Sequence, residues 1–123
     1  MPHCILEYSD NLVEKPDFSK LLAEIHKTMV ETGLFKIDDI KSRIIKHNIY
    51  RIGDGHLDKV FVTLNVEILS GRSDEVKTKI SESLIPLLIK FFHKTISQKN
   101  CSITVQISDI NRASYQKYVS ENN

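Results

Sequence analysis

The chain has 123 residues, 41% of them hydrophobic and 27% charged, and a formal net charge of +1. That length supports one domain, spanning 1–123, with a core that needs no covalent staples. The near-neutral balance gives no global attraction to nucleic acid or to an anionic membrane, so any anionic ligand has to be recognised by locally placed cations.

No apolar run approaches the roughly 20 residues of a membrane-spanning helix. The opening residues carry Glu7, Asp10 and Glu14 and no apolar signal segment, so the expected location is cytoplasmic. Cys4 and Cys101 both sit in apolar, strand-like runs and read as reduced core residues.

The first element is a strand at about His3–Tyr8, headed by Pro2 and closed by a polar turn at Ser9–Asn11. Pro16-Asp17 then offers a helix start, and Phe18, Leu21, Leu22, Ile25 and Met29 recur at helical spacing. Gly33 suits the left-handed position just past the end of that helix. A second strand is expected at about Lys41–Ile49, followed by a turn at Gly53-Asp54-Gly55. The third strand, Val60–Leu69, sets Val60, Val62, Leu64, Val66 and Ile68 against Phe61, Thr63, Asn65, Glu67 and Leu69.

Ser73 can cap a second helix, whose Val76, Ile80, Leu84, Leu87, Leu88 and Phe91 point to the core. Pro86 inside it leaves the Glu82 carbonyl without its intrahelical donor and is expected to bend it. A last strand at Cys101–Ile107 completes the pattern. The polar segment after Asn111 reads either as a short helix or as an arm that packs on another subunit.

The order strand–helix–strand occurs twice, with pseudo-repeat halves of about 1–57 and 58–123. The expected fold class is therefore α/β (α+β): two β-α-β units joined in one four-stranded sheet, with both helices on one face. Because both parities of Val60–Leu69 carry apolar residues, the other face is expected to be covered by another copy of the chain.

The residue types that carry chemistry lie at the ends of these strands. Removal of Met1 would turn the Pro2 nitrogen into a secondary amine, which can act as a base. An α-amino group titrates nearer neutrality than lysine does, and burial or neighbouring cations lower it further. The plainer reading is that proline tolerates the first position of a strand because no ladder donor is needed there. Arg72 opens a helix, where its charge opposes the dipole, which favours a functional task over a structural one. Pro2 starts one strand and Arg72 follows another, so the two meet within a chain only if those strands run antiparallel. That makes the expected sheet mixed. His3, His26, His47, His56 and His93 have none of the short spacings of a zinc site, so no metal site is expected.

With these residues in hand, the chain resembles the 5-carboxymethyl-2-hydroxymuconate delta-isomerase family of the tautomerase superfamily. The resemblance runs nearly end to end, through Met1-Pro2-His3 with Glu7, Ser9-Asp10-Asn11, Thr32-Gly33-Leu34-Phe35, Ile40-Lys41-Ser42-Arg43, Asp54-Gly55-His56 and Gly71-Arg72-Ser73. It implies a homotrimer in which three sheets enclose a central barrel. It also implies a cofactor-free isomerase, with Pro2, freed of Met1, as the catalytic acid/base. The substrate would be a small anionic dicarboxylate held by arginines.

Arg72 carries one family arginine over unchanged. The family's Ile-Arg-Ser-Arg segment stands here as Ile40-Lys41-Ser42-Arg43, so Lys41 replaces the first arginine while Arg43 keeps the second. Lysine supplies charge without the planar fork that grips a carboxylate. A tautomerase acting on a different 2-oxo or 2-hydroxy-dienoic acid is therefore the nearest alternative. A trimeric binding or signalling protein is the next. An RNA-binding sheet is disfavoured by the neutral charge and the lack of aromatic pairs on the strands.

Overall fold

The computed structural model describes residues 1–122. Its elements are β1 (His3–Ser9), α1 (Phe18–Glu31), β2 (Lys41–His47), β3 (Lys59–Leu69), α2 (Asp74–Phe91), α3 (His93–Gln98) and β4 (Asn100–Ile110), with 3₁₀ turns at Ile37–Asp39 and Arg112–Ser114. The four strands form one sheet in the order β2-β1-β3-β4. β1 and β2 are parallel, as are β3 and β4, while β1 and β3 are antiparallel. This is the mixed sheet of two β-α-β units expected from the sequence.

Period-2 patterning decides the helix-facing side of the sheet. Cys4, Leu6 and Tyr8 of β1 and Val60, Val62, Leu64, Val66 and Ile68 of β3 are buried. Against them α1 turns Leu21, Ile25 and Met29, and α2 turns Ile80, Leu84 and Leu88, each set recurring every four residues. Both helices begin at capping side chains. Asp17 Oδ1 accepts from the Lys20 amide at 3.1 Å, and Ser73 Oγ accepts from the Val76 amide at 3.2 Å. Past the end of α1, Gly33 has φ = 78°, which a side chain would resist.

Three details refine the sequence reading. Pro86 lies inside α2, as expected, on its exposed side, and the helix continues through it to Phe91. The break comes at Phe92, beyond which α3 forms a separate turn of helix. Its amide end is satisfied from a distance: the Glu14 carboxylate accepts from the Lys94 and Thr95 amides at 3.1 and 3.3 Å, a tertiary partner that no local pattern announces. Third, the face of the sheet away from the helices is more polar than the parity of β3 suggested. Thr63 there bonds Thr104, Asn65 bonds Ser108, and Glu7 lies 2.8 Å from His47, leaving Ile5, Ile45, Phe61, Leu69 and Ile110 as the apolar strand residues of that side.

Among the described residues beyond β4, the 3₁₀ turn is followed by irregular chain, from which Lys117 Nζ reaches Asp39 Oδ1 at 3.1 Å. Among the described residues no helix is long and apolar enough to cross a membrane.

Candidate active site

The antiparallel pairing of β1 with β3 sets His3 opposite Glu67, which brings the start of the chain to the end of β3. A pocket of about 190 Å³ opens there, lined by Met1, Leu69 and Arg72 together with Leu34, Phe35 and Lys36 from the α1–β2 connection, and by Asp39 and Arg112. Pro2, next to Met1, is buried, and its carbonyl accepts from the Lys41 amide at 3.0 Å. It leads directly into β1, an inner strand flanked by β2 and β3.

Arg72 is half-buried on the loop between β3 and α2, just after Gly71, whose φ is 120°. Its Nη2 donates to the Leu34 carbonyl at 3.4 Å, and its guanidinium carbon stands 5.2 Å from the centre of the Phe35 ring. These contacts hold the planar fork on the pocket wall. The Thr32-Gly33-Leu34-Phe35 segment singled out in the sequence thus serves to seat this arginine.

The other two candidate cations behave differently. Lys41, at the start of β2, is exposed and turns its Nζ to the Asp39 carbonyl at 3.2 Å, beside the pocket and not on its wall. Arg43 lies two residues further along β2, on the face away from the helices, where its Nη1 donates to His3 Nδ1 at 3.1 Å. A guanidinium only donates, so this bond leaves the His3 proton on Nε2. Within one chain, then, Met1 and Arg72 line the pocket, Pro2 follows Met1 as a buried residue, Lys41 borders the pocket and Arg43 faces elsewhere.

The electrostatics of this end of the sheet favour a neutral amine. The α-amine of Met1 titrates below its ordinary value because of burial, then Lys117 and Lys41, with Asp39 opposing. Asp39 is itself held below the usual carboxylate range by its hydrogen bond and charge contact with Lys117. His3 is pushed down by burial and by Arg43. The Cys4 thiol, one strand position on, is raised by burial to about 12, which makes it an inert core group. Among the described residues no three of His, Cys, Asp and Glu converge as metal ligands do.

Sequence reasoning missed Arg112 and Lys36 as pocket residues. Lys36 stood next to a motif already in view. Arg112 lay in a polar tail without periodicity, and only the parallel register of β3 with β4, Leu69 opposite Ile110, brings it to the site.

Comparison with known proteins gives one consistent answer. Residues 2–123 match the family model for 5-carboxymethyl-2-hydroxymuconate isomerase. The 5-carboxymethyl-2-hydroxymuconate Delta-isomerase of Escherichia coli is 30% identical over 110 residues, spanning 89% of this chain and 87% of its own. The crystal structure of a 5-carboxymethyl-2-hydroxymuconate isomerase from Deinococcus radiodurans R1 superposes with a TM-score of 0.88 at 27% identity, covering 97% of this chain and 90% of that one. A second crystal structure, of a 5-carboxymethyl-2-hydroxymuconate delta-isomerase, gives a TM-score of 0.84 at 21% identity, over 98% of this chain and 89% of that one. The chain belongs to the 5-carboxymethyl-2-hydroxymuconate isomerase family, within the tautomerase superfamily.

Proposed function

We propose that this protein moves a proton within an unsaturated hydroxy or oxo acid with two or more carboxylates, such as 5-carboxymethyl-2-hydroxymuconate, with the Pro2 amine as both acceptor and donor. The observation that carries the reading is the antiparallel β1–β3 register, which brings Met1, the residue before Pro2, to the pocket that Arg72 lines, in a chain of this family.

In this reading Met1 is removed. Met1 lines the pocket, so its loss both enlarges the cavity and converts the Pro2 nitrogen from an amide to a secondary amine. That amine sits one residue deeper than the Met1 amine, among the same cations. Those cations disfavour its charged form and so favour the neutral amine that accepts a proton. The amine takes the proton from the 2-hydroxyl of the dienol, or from carbon in an oxo substrate, and either way leaves a dienolate whose charge is shared between oxygen and the conjugated carbons. The same amine, now an ammonium, returns the proton at another carbon of the system, so base and substrate end in balance. A positioned group of this kind contributes about 10²–10⁴-fold. Arg72, aided by the field of Lys41, binds the anionic substrate and stabilises the charge that develops on oxygen.

The functional unit is a homotrimer. The bare sheet face away from the helices supports this assembly, and so does the exposure of Ile49 and Leu57 at 90% and 88%, since each is a large apolar side chain left for a neighbouring copy to cover. In that arrangement Arg43, which faces away from its own pocket, is available to contact a neighbour's substrate. Lys41 favours a second reading, in which the substrate is a different 2-oxo or 2-hydroxy-dienoic acid whose carboxylate needs a point charge and no fork.

The test starts with intact-mass measurement, to obtain protein with free Pro2. Turnover of 5-carboxymethyl-2-hydroxymuconate is then followed by absorbance across pH. The rate should hold at neutral pH and fall only as pH drops through a terminal-amine pKa below the usual 7.7–8.0. Trimmed trimer with no turnover of any dienoic acid would defeat the reading, as would an amine titrating in the ordinary range.

A further inference from the structure

We infer that Arg112 is a substrate-binding residue, supplying the second guanidinium of the pocket for a carboxylate that Arg72 does not hold. The inference rests on the proposed dicarboxylate substrate and extends it to a residue outside the family segments that the sequence displays.

Arg112 stands on the 3₁₀ turn after β4, and that turn is firmly built. Asn111 Oδ1 caps it by accepting from the Ala113 amide at 3.0 Å. Ser70, in the loop that leads to Arg72, fixes Arg112 from two directions. Its hydroxyl accepts from the Arg112 amide at 3.0 Å, and its carbonyl accepts from Arg112 Nε at 3.1 Å. The Ser70 amide in turn donates to the Ile110 carbonyl at 2.8 Å, so the loops following β3 and β4 are laced together.

Using Nε in this way aims the guanidinium and leaves its outer fork, Nη1 and Nη2, without a protein acceptor among the described residues. Arg112 has no carboxylate partner there either, because Asp39, the one acid lining the pocket, is taken by Lys117. A guanidinium oriented through its stem with two free coplanar donors is the geometry that receives a carboxylate. It also answers the loss of the family arginine at Lys41, whose Nζ is turned to a backbone carbonyl. The pocket then offers two forks, one from the loop after β3 and one from the loop after β4.

The experiment measures binding by calorimetry, with suberate and octanoate as length-matched dicarboxylate and monocarboxylate probes, on trimmed protein. Arg112→Ala should weaken suberate by roughly 10- to 150-fold and leave octanoate within a factor of about two, as expected for loss of one charge-assisted contact. Arg112→Gln keeps the stem and an N–H donor, and it carries the same comparison if the alanine variant misfolds. Melting temperature and light scattering accompany both. Suberate affinity equal to wild type in either variant overturns the inference, as does an equal loss for both acids, which marks a structural role. Turnover is scored separately. A wild type that binds suberate through Arg112 but does not isomerise dienoic acids defeats the proposed reaction and leaves this inference standing, whereas normal turnover with an unaffected Arg112→Ala does the reverse.

Discussion

The two ends of the sheet both carry a pocket and a cluster of cations, yet they are wired in opposite ways. At the end where β1 and β2 finish and β3 begins, the cavity is the larger, about 440 Å³. Its cations are spoken for: Lys59 bonds Asp54 at 2.7 Å, Arg51 donates to the Asp54 carbonyl at 2.8 Å, and His56 lies against Asp58. At the proline end the cavity is less than half that size, but Lys36, Arg72 and Arg112 line it against Asp39 alone, which Lys117 already engages. Volume is a poor guide to where an anion binds. An excess of oriented, unneutralised charge beside a buried chain terminus is a better one, because the field there is not cancelled by the protein itself.

The strongest way to break this comparison is at the base. Trimmed protein with Pro2→Ala should lose roughly 10²–10⁴-fold in kcat/KM, with its new primary amine retaining the residue of activity. Wild-type rates from that variant, with fold and oligomer intact by circular dichroism and light scattering, would remove Pro2 from the chemistry.

Next in size is the clamp. Arg72→Ala should weaken a dicarboxylate by about 10- to 150-fold and a monocarboxylate far less. Lys59→Ala, at the opposite end, should leave binding of both unchanged in the same calorimetric titration, since it breaks only an exposed ion pair. A comparable loss from Lys59→Ala would collapse the distinction between the two ends.

Lys41→Arg probes a smaller effect at the border of the pocket. If the substrate is 5-carboxymethyl-2-hydroxymuconate itself, steady-state kcat/KM should hold or rise. A steep fall would mean that the site is shaped for lysine and for another acid.

The smallest effect concerns stability. His26 of α1 places Nε2 2.6 Å from Ser42 Oγ on β2, and burial lowers its pKa. The unfolded chain, titrating near an ordinary 6.5, binds the proton more readily than the folded one, so stability falls as pH drops through that value. Urea midpoints should decline between pH 7.5 and 5.5 in wild type and decline less in His26→Gln. Equal declines would assign the acid sensitivity to other groups, of which His3, also lowered by burial and Arg43, is the first to examine.

How much of this could be read beforehand follows from the range of the interactions involved. The strands and helices rest on periodicity and caps, and Asp17, Gly33 and Ser73 act where their residue types suggest. Pro2 and Arg72 stood out as candidates because each sits at an element boundary in a family motif. Three things were out of reach because distant partners decide them. α3 depends on Glu14 from another part of the chain, Arg112 depends on the β3–β4 register, and the polarity of the bare face depends on cross-strand pairs such as Thr63 with Thr104. Lys41 was correctly placed at a strand start, but the direction of its ammonium toward the Asp39 carbonyl is a side-chain choice that no spacing encodes.

The antiparallel register of His3 with Glu67 also has a consequence in time. β1 can pair with β2 as soon as the first half of the chain is made, but its contact with β3 closes a long loop and is among the slower events of folding. Until it forms, the chain terminus is an ordinary solvated amine, far from Arg72 and Arg112. On the reading proposed above, a nascent or half-folded chain therefore carries the catalytic residue without the catalyst. Recovery of activity during refolding should lag behind recovery of helical circular dichroism, and follow the completion of the central strand pair.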